Sequence, residues 1–544
     1  MNIVKRHIKQ VSIIIVFILI NFLIISVISK IYYEFNSGAD RSTSLHIELK
    51  SNDYYLPKVT FNTSNSKGRK LNPEVLKNIK NDYLNAWYVK SYALNYNDIN
   101  SFKDFYTDSA QVKLTDMIQY NYKNEISVQS TSLQHNLDVQ FFSEDGQLVF
   151  LKDINVEEII DVSQNGISIN NEQSFNDYDV VLLLEDGFWR VRHLIKTKHQ
   201  EKTLQKTETV MPLSFDVKGI NYYPQKTPWL EFWTQFDSSI IDKDFNKIKK
   251  LDFNVIRIFI PYEAFGKATV SNQNINNLKT TLDLADKNQL KVIITFFDFY
   301  SDYRISDYTL CDRHLEQIIT EIKGHKAILQ YDIKNEPDLD FKNHTKIKVL
   351  KWLSFISERI KQYDNKTPIT IGWSSAKQTH HLKDKVDVVS FHFYEKPIRF
   401  FERYTTLKSM TDKPIIVQEF GKHSYNSFWF PYSNTEANQA DYYKEMQKQF
   451  ELFDNISFVS WTLYDFPKID SSVFGSLPHK IQPQKNYGII DVHGNYKEAS
   501  KFVLNSNEKS TVNSYKYLNK FIVSVIIFFL ISIIIFVKYR KRKK

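Results

Sequence analysis

The sequence is poor in cysteine and glycine. Its single cysteine, Cys311, excludes an intramolecular disulfide and any metal site that needs several cysteines. Glycine accounts for 13 of 544 residues, well below the roughly 7% of an average protein. Hydrophobic residues make up 42% of the chain and charged residues 24%. This composition is typical of globular domains and argues against a disordered or fibrous protein.

The sequence also lacks an internal excess of charge of either sign. The formal net charge is +9, but Lys5, Arg6 and Lys9 supply three of these charges and the last seven residues, KYRKRKK, supply the other six. The charges of the chain between the two ends therefore cancel. This distribution does not indicate a basic face for phosphate groups, so we expect no nucleic-acid partner.

Two long hydrophobic runs lie near the ends of the chain. VSIIIVFILINFLIISVIS near the start and FIVSVIIFFLISIIIFV near the end predict transmembrane helices over 11–32 and 518–537. The basic residues of 1–10 and 538–544 place both termini in the cytoplasm by the positive-inside rule. We therefore expect a two-pass protein of the cell membrane, with the intervening chain outside the cytoplasm. A cleaved signal peptide with one C-terminal anchor would give the same placement.

The pattern between these runs predicts two domains. Residues 33–71 are polar and poorly periodic, as expected of a stalk. Residues 72–205 begin with helical periodicity and continue with a run of antiparallel strands, which is an α+β pattern. After a linker at 206–214, residues 215–505 alternate short strands with helices, and 506–517 form a second linker.

The last part of the first domain carries a family resemblance. The segment YDVVLLLEDGFWRVRHLIK resembles the closing hairpin of the nuclear-transport-factor-2-like (SnoaL-like) cone fold. Members of that fold are sometimes enzymes, but the sequence of 72–205 shows no convergent acid–base set. We expect a spacer or binding module here, with a protein partner as one role open to it.

The second domain contains eight apolar strands separated by helices. The predicted strands are 217–222, 255–260, 291–297, 328–334, 369–373, 386–393, 414–419 and 458–464. Eight such strands over about 290 residues are typical of a (β/α)₈ barrel, whose parallel sheet is buried on both faces. The expected fold class is therefore α/β: a (β/α)₈ TIM barrel preceded by a smaller α+β cone-like domain, with a transmembrane helix at each end.

Two glutamates stand where such barrels place their chemistry, at the C-terminal ends of strands. The fourth predicted strand runs into Asn335 and Glu336 (YDIKNEPD), and the seventh ends at Glu419 (IIVQEFG). These strands lie on opposite sides of the barrel mouth, so the two carboxyl groups face each other across one cleft. Glycoside hydrolysis needs such a pair: one carboxyl group protonates the leaving oxygen, and the other attacks the sugar or activates water.

With these motifs, residues 215–505 resemble glycoside hydrolase clan A, the retaining (β/α)₈ hydrolases that include cellulase-like and β-mannanase-like enzymes of the family 5 type. The resemblance implies that Glu336 is the general acid/base, protonated near neutral pH, and that Glu419 is the nucleophile. It also implies that Asn335 hydrogen-bonds the sugar 2-hydroxyl and that Arg257 stabilises the nucleophile as a carboxylate. His392 and Tyr394 would line the site, with Tyr394 orienting the nucleophile, and Trp461 would form an aromatic floor under the sugar. The segment after the third predicted strand, FFDFYSDY, departs from the cellulase branch, which commonly has a histidine there. Asp298 is expected to occupy this position at the rim of the site.

The leading hypothesis is thus a membrane-anchored retaining glycoside hydrolase that cleaves β-linked poly- or oligosaccharide of the β-glucan or β-mannan type. It requires no metal and no cofactor, and its partners are a carbohydrate substrate and the membrane. Two alternatives stay open: a carbohydrate-binding or assembly scaffold without turnover, and a transglycosylase that uses the same two glutamates. The sugar, the linkage and endo or exo action are also open.

Overall fold

The computed structural model describes residues 14–28, 54–201, 216–427 and 433–503. The chain divides into two compact units, Met1–Lys202 and Thr203–Lys544. The described helices, apart from the one at 14–28, are Pro73–Tyr96, Asp108–Lys123, Glu231–Thr234, Ser238–Lys250, Asn272–Lys287, Tyr308–Ile322, Lys346–Tyr363, Phe400–Met410, Glu436–Phe450, Ser471–Phe474, Pro478–Gln484 and Ser500–Val503.

The first unit combines one sheet with two long helices, which confirms the predicted α+β domain. Its strands are β1 (Lys58–Asn62), β2 (Lys67–Gly68), β3 (Ile126–Ser132), β4 (Gln134–Phe142), β5 (Leu148–Gln164), β6 (Ile167–Glu185) and β7 (Phe188–Glu201). They are ordered β1-β4-β5-β6-β7, with β2 on β4 and β3 on β5. Successive strands from β4 to β7 pair antiparallel, as β3 does with β5, whereas β1 and β2 run parallel to β4.

The sequence sets the limits of the longer helix of this unit. Asn72 caps its start by accepting a hydrogen bond from the Val75 amide at 2.8 Å, and Pro73 occupies the first turn, where its missing N–H costs nothing. Asn97 ends the helix in the left-handed conformation, at φ 53°. The buried side of the helix carries Tyr83 and Trp87, which belong to the apolar core of the unit.

The second unit is a closed barrel of eight parallel strands, which confirms the predicted (β/α)₈ architecture. Its strands are β8 (Lys218–Asn221), β9 (Val255–Pro261), β10 (Lys291–Asp298), β11 (Ile328–Asn335), β12 (Ile369–Trp373), β13 (Val389–Phe393), β14 (Ile415–Phe420) and β15 (Ser457–Ser460). Neighbouring strands follow the chain order, and β15 closes the barrel against β8. Every residue of β9, β12, β13 and β14 is buried, as expected for a sheet covered on both faces.

The predicted transmembrane helices are wrong as an element of the fold. Of the residues that the structure describes, none belongs to a helix both long and apolar enough to cross a membrane. The first predicted span includes the described helical residues 14–28. The second span, 518–537, lies outside the described residues. The predicted location at the cell membrane rests on the same two segments and stays a prediction.

Candidate active site

Glu419 lies at the end of β14 and is held by two donors. The Arg257 guanidinium donates from Nη1 to Oε1 at 2.5 Å, and the Tyr394 hydroxyl donates to Oε2 at 2.8 Å. Glu419 is almost completely buried. A cation and a hydroxyl thus each hold one of its oxygens, and together they fix the orientation of the carboxyl group.

Glu336 follows β11 and turns into the same cleft. Its backbone has φ 44°, and its amide donates to the Gly372 carbonyl at 2.7 Å. Its Oε1 lies 2.8 Å from Nδ1 of His392, and 26% of its side chain remains exposed. Burial acts to raise the pKa of Glu336, but the hydrogen bond and charge of His392, with help from Arg257 and Lys334, bring it below its usual value. This direction applies to the protein without substrate, and the protonated state of Glu336 near neutral pH stays a prediction.

The two carboxyl groups and His392 form one cluster. One oxygen of Glu336, one of Glu419 and a ring nitrogen of His392 all lie within 4.8 Å of one another. The His392 Nδ1 atom is 3.4 Å from Glu419 Oε2, so the ring lies between the carboxyl groups. This trio is also the one group in the described chain whose ligand atoms are close enough to hold a metal ion.

Arg257 is a buried hub beneath this cluster. Burial acts to lower its pKa, but the Asp332 and Glu419 charges raise it above the ordinary value, so the guanidinium is always charged. It donates to five side chains: Asn221, Thr295, Asp332, Asn335 and Glu419. Asp332 accepts from Nη2 at 2.8 Å with both partners inaccessible to solvent. One guanidinium thus pairs with two carboxylates within the barrel, so each of these buried charges has an ionic partner, as buried charges require.

Several of these hub residues were missed by the sequence analysis. Asp332 accepts hydrogen bonds from Thr295 Oγ1 at 2.9 Å, Gln418 Nε2 at 3.1 Å and the Gly372 amide at 2.9 Å. Asn221 joins β8 to β14 and β15 by donating to the Gln418 and Ser460 carbonyls. The available signal was a polar residue inside an otherwise apolar strand, as in YDIKN and GINY.

The remaining predicted supporting residues are Asn335, Trp461 and Asp298. Asn335, at the end of β11, accepts from Arg257 Nη2 at 2.8 Å and so lies beside the glutamate pair. Trp461 follows β15 with 7% of its surface exposed, and its ring packs against Phe259 at 6.0 Å. Asp298 is 5% exposed and accepts a long hydrogen bond from the Tyr223 hydroxyl at 3.5 Å. Burial raises the pKa of Asp298 to about 6, against opposing effects of Lys334 and Arg257.

Tyr487 is a further residue of the site that the sequence analysis did not single out. It follows the loop after β15, and its ring lies 6.1 Å from Tyr394 and 5.7 Å from His423. Burial raises the pKa of Tyr487 to about 12, with further contributions from the charges of Glu419 and Glu336. Its hydroxyl therefore stays protonated close to both carboxyl groups, where it can donate to a bound sugar.

The sequence comparison agrees with this geometry. Residues 214–466 match the family model described as cellulase (glycosyl hydrolase family 5). The match covers less than half of the chain and coincides with the barrel. The match to the family 5 model confirms the resemblance of the barrel domain to the clan A (β/α)₈ glycoside hydrolases, which was based on Asn335-Glu336-Pro337 and Gln418-Glu419-Phe420-Gly421. No curated protein matches the sequence.

Solved structures with a similar fold include three glycosidases. Exo-β-1,4-mannosidase Op5Man5 from the Opitutaceae bacterium strain TAV5 is 18% identical, with a TM-score of 0.44 over 56% of this chain and 61% of that chain. GH5_18 from Streptomyces cattleya, in complex with GlcNAc, is 13% identical, with a TM-score of 0.44 over 56% and 83%. GH2 β-galacturonidase from Eisenbergiella tayi, bound to galacturonate, is 18% identical, with a TM-score of 0.42 over 61% and 69%. This chain thus spans under two thirds of the length of the mannosidase.

Proposed function

We propose that the barrel domain is a retaining glycoside hydrolase for β-linked glycans of the glucan or mannan type, with Glu419 as nucleophile and Glu336 as general acid/base. The spacing of the two carboxyl groups carries the proposal. Retaining enzymes place these groups about 5–5.5 Å apart, whereas inverting enzymes leave about 6.5–9.5 Å for a water molecule. An oxygen of Glu336 within 4.8 Å of one of Glu419 favours the retaining arrangement.

In the first step, Glu419 attacks the anomeric carbon of the sugar while Glu336 transfers its proton to the glycosidic oxygen. The bond between that oxygen and the anomeric carbon breaks, the alcohol leaves, and an ester joins the sugar to Glu419. Arg257 and Tyr394 orient the attacking carboxylate through the hydrogen bonds at 2.5 and 2.8 Å. In the second step, Glu336 takes a proton from water, and the resulting hydroxide displaces Glu419 from the sugar.

Glu336 has to be protonated in the complex although its pKa is lowered in the free enzyme. A bound sugar covers the part of its side chain that solvent still reaches, and the leaving oxygen competes with His392 for the same carboxyl group. Both changes favour the neutral acid, because burial disfavours charge and a lost hydrogen bond no longer stabilises the carboxylate. Substrate binding itself thus prepares the acid.

The family description supports β-linked glucan as the first substrate class to test, and β-linked mannan is tested beside it. The indole of Trp461 offers a flat apolar surface to a pyranose at the end of β15, and the Tyr487 hydroxyl and the Asp298 carboxyl group add polar contacts. The scaffold alternative is not supported, because both carboxyl groups and their supporting contacts are present.

The stereochemistry of the first product tests the mechanism. Full-length protein is mixed with β-linked gluco- and manno-oligosaccharides, and proton NMR records the anomer released before mutarotation. We expect the β-anomer. Release of the α-anomer would contradict the retaining mechanism and leave hydrolysis itself intact.

Two variants separate the roles of the glutamates. Glu336→Ala should lose about 100- to 10,000-fold in kcat/KM on a natural glycan but much less in kcat/KM on a 2,4-dinitrophenyl glycoside, whose leaving group needs no proton in the first step. Glu419→Ala should be inactive on both substrates. Equal losses on both substrates for Glu336→Ala would contradict its assignment as the acid. An added acceptor sugar in the same assay reports transglycosylation as a new, longer product.

A further inference from the structure

We infer that Lys497, Asp465 and Gln439 are positioning residues of the active site. They fix the chain around Tyr487, so that its hydroxyl meets the bound sugar in one place. The inference rests on the proposed function and deepens it, because it names side chains that act on the substrate through Tyr487. It follows from a buried ion pair, from an amide that binds three carbonyl groups, and from a glycine packed against the loop after β15.

Tyr487 lies beside the two glutamates and has a free hydroxyl. Its half-buried ring is 6.1 Å from that of Tyr394, whose own hydroxyl is bound to Glu419 at 2.8 Å. Burial raises the pKa of Tyr487, and the charges of Glu419 and Glu336 raise it further, as expected for a hydroxyl near both carboxyl groups. None of the described residues accepts a hydrogen bond from this hydroxyl. It is therefore a donor that a substrate can use.

A buried ion pair binds the backbone on both sides of this tyrosine. Lys497 Nζ is 3.0 Å from each oxygen of Asp465, and only 1% and 7% of the two side chains are exposed. Asp465 Oδ1 also accepts from the Gly488 amide at 2.8 Å, and Lys497 donates to the Asn486 carbonyl at 3.4 Å. The two peptide groups that flank Tyr487 are thus bonded to the pair. A buried ion pair adds little stability compared with apolar side chains of similar volume, so its effect here is to fix geometry.

Gln439 holds the same stretch of backbone from the helix after β14. The side chain is fully buried, and its amide nitrogen donates to the Tyr487 and Gly488 carbonyls, each at 3.2 Å, and to the Lys422 carbonyl at 2.8 Å. Lys422 closely follows β14, the strand that carries Glu419. One side chain therefore ties the backbone of Tyr487 to the chain that leaves the nucleophile.

Gly488 brings this backbone against the loop after β15. A Cβ atom at Gly488 would lie 2.0 Å from the Asp465 amide nitrogen and 2.1 Å from the Tyr464 carbonyl carbon. Only a glycine lets the two segments pass this close, and the ion pair and the buried amide keep them together. The backbone of Tyr487 is therefore fixed relative to Glu419 before a sugar binds, which lowers the cost of ordering the hydroxyl around the substrate.

Removal of the hydroxyl tests its contact with the sugar. The full-length protein and its Tyr487→Phe variant are assayed on p-nitrophenyl β-glucoside and β-mannoside and on β-linked gluco- and manno-oligosaccharides. We expect kcat/KM to fall about tenfold in this variant and to stay unchanged in Tyr496→Phe, a control in the same segment that is 54% exposed. Equal kcat/KM in wild type and Tyr487→Phe would overturn the inference while the hydrolase stands. If the wild type cleaves none of these substrates, the proposed function fails instead.

Double-variant kinetics test the positioning role. Lys497→Met keeps the length of the side chain without its charge, and Gln439→Met removes the amide donor, which gives the same test should Lys497→Met fail to fold. We expect either change to lower kcat/KM about tenfold in the wild-type background, but by less than about twofold when it is added to Tyr487→Phe. The same loss in both backgrounds would mean that these residues do not act through Tyr487 and would overturn the positioning role.

Lys361→Met is the matched control for Lys497→Met. Lys361 pairs with Asp387 at 2.6 Å, with 9% and 10% of the side chains exposed, and donates to the Thr367 carbonyl at 3.0 Å. These partners precede β12 and β13, at the end of the barrel away from the glutamates. We expect Lys361→Met to lose stability but to keep kcat/KM within about twofold of wild type. A loss of kcat/KM equal to that of Lys497→Met would show that any broken ion pair impairs this barrel, against the inference.

Discussion

Arg257 is the side chain on which both glutamates depend. Its guanidinium reaches Glu419 directly and reaches the end of β11 through Asn335, while Asp332 and Thr295 fix its other edge. A planar group with five donors can hold all of these partners at once. A lysine has the same charge at one point and cannot.

Arg257→Lys should therefore lower kcat by about 100- to 1,000-fold, with a smaller change in KM. Arg359→Lys is the matched control, since Arg359 makes a largely buried pair with Asp312, through bonds of 2.5 and 3.0 Å, between two helices of the same unit. Steady-state kinetics and thermal unfolding are measured for both. We expect both variants to lose stability but only Arg257→Lys to lose turnover; a similar kcat in the two would contradict the hub role.

His392 sets the ionisation of Glu336 in the free enzyme. Because its hydrogen bond lowers the pKa of Glu336, removal of the ring should raise that pKa. The acid must be protonated for kcat/KM, so the alkaline limb of the kcat/KM profile should move to higher pH in His392→Asn. For wild type, the same limb should lie at lower pH in kcat/KM than in kcat, because substrate raises the pKa. A limb that stays in place, or moves to lower pH, would contradict this.

At the scale of elements, the barrel was predictable because each strand is an apolar run between helices. The predicted and observed strand ends differ where an apolar run continues beyond the hydrogen-bonded part of the strand. The last strand was predicted at 458–464, but β15 ends at Ser460, and the apolar residues Trp461 and Leu463 belong to the loop that follows. Asn335, Glu336 and Glu419 were found because short motifs mark them. Asp332 and the hub contact of Gln418 were missed because their partners are distant in sequence, and only the closed barrel brings them together.

Gly372 on β12 is another residue whose role depends on partners that are distant in sequence. A Cβ atom there would lie 2.9 Å from Gln418 Oε1, 3.1 Å from Arg257 Nη2 and 3.2 Å from Asp332 Oδ2. Only a glycine lets the strand pass this close to the buried hub. The sequence GWSS gives no sign of it.

Gly372→Ala should therefore displace the hub and reduce kcat by about tenfold or more while costing about 1–3 kcal/mol of stability. Gly324→Ala is a suitable control: its φ of +79° makes the variant strained, but nothing lies within 4 Å of an added Cβ. Stability should fall in both variants, and activity below the unfolding range should fall only in Gly372→Ala. Full activity in a folded Gly372→Ala protein would show that the hub tolerates displacement.

At the scale of the whole molecule, each unit has its own core, and the first core contains a polar network. The sequence analysis found no convergent acid–base set in 72–205, yet His135 Nδ1 lies 2.6 Å from Asp153 Oδ2, and its Nε2 lies 2.8 Å from the Tyr55 hydroxyl. Tyr83 also donates to Asp153 at 2.9 Å. Residues that close this network lie far apart in sequence, so spacing alone could not reveal it. All four side chains are buried and paired, which fits a structural role.

Asp153→Ala should thus destabilise the first unit alone. It leaves His135 and Tyr83 without their acceptor inside the core, at a cost of about 3–5 kcal/mol. Because the barrel has a separate core, calorimetry should show two transitions, of which only one moves, by roughly 10 °C or more.

Asp138→Ala is the control, since this carboxylate on β4 bonds the exposed Asn62 side chain at 2.8 Å and should shift neither transition by more than about 2 °C. Glycosidase activity below the first transition should be equal in wild type and both variants, because none of the catalytic contacts lies in the first unit. A single transition that moves as a whole in Asp153→Ala, together with a loss of turnover, would mean instead that the two units unfold as one cooperative body and that the first unit supports catalysis in the barrel.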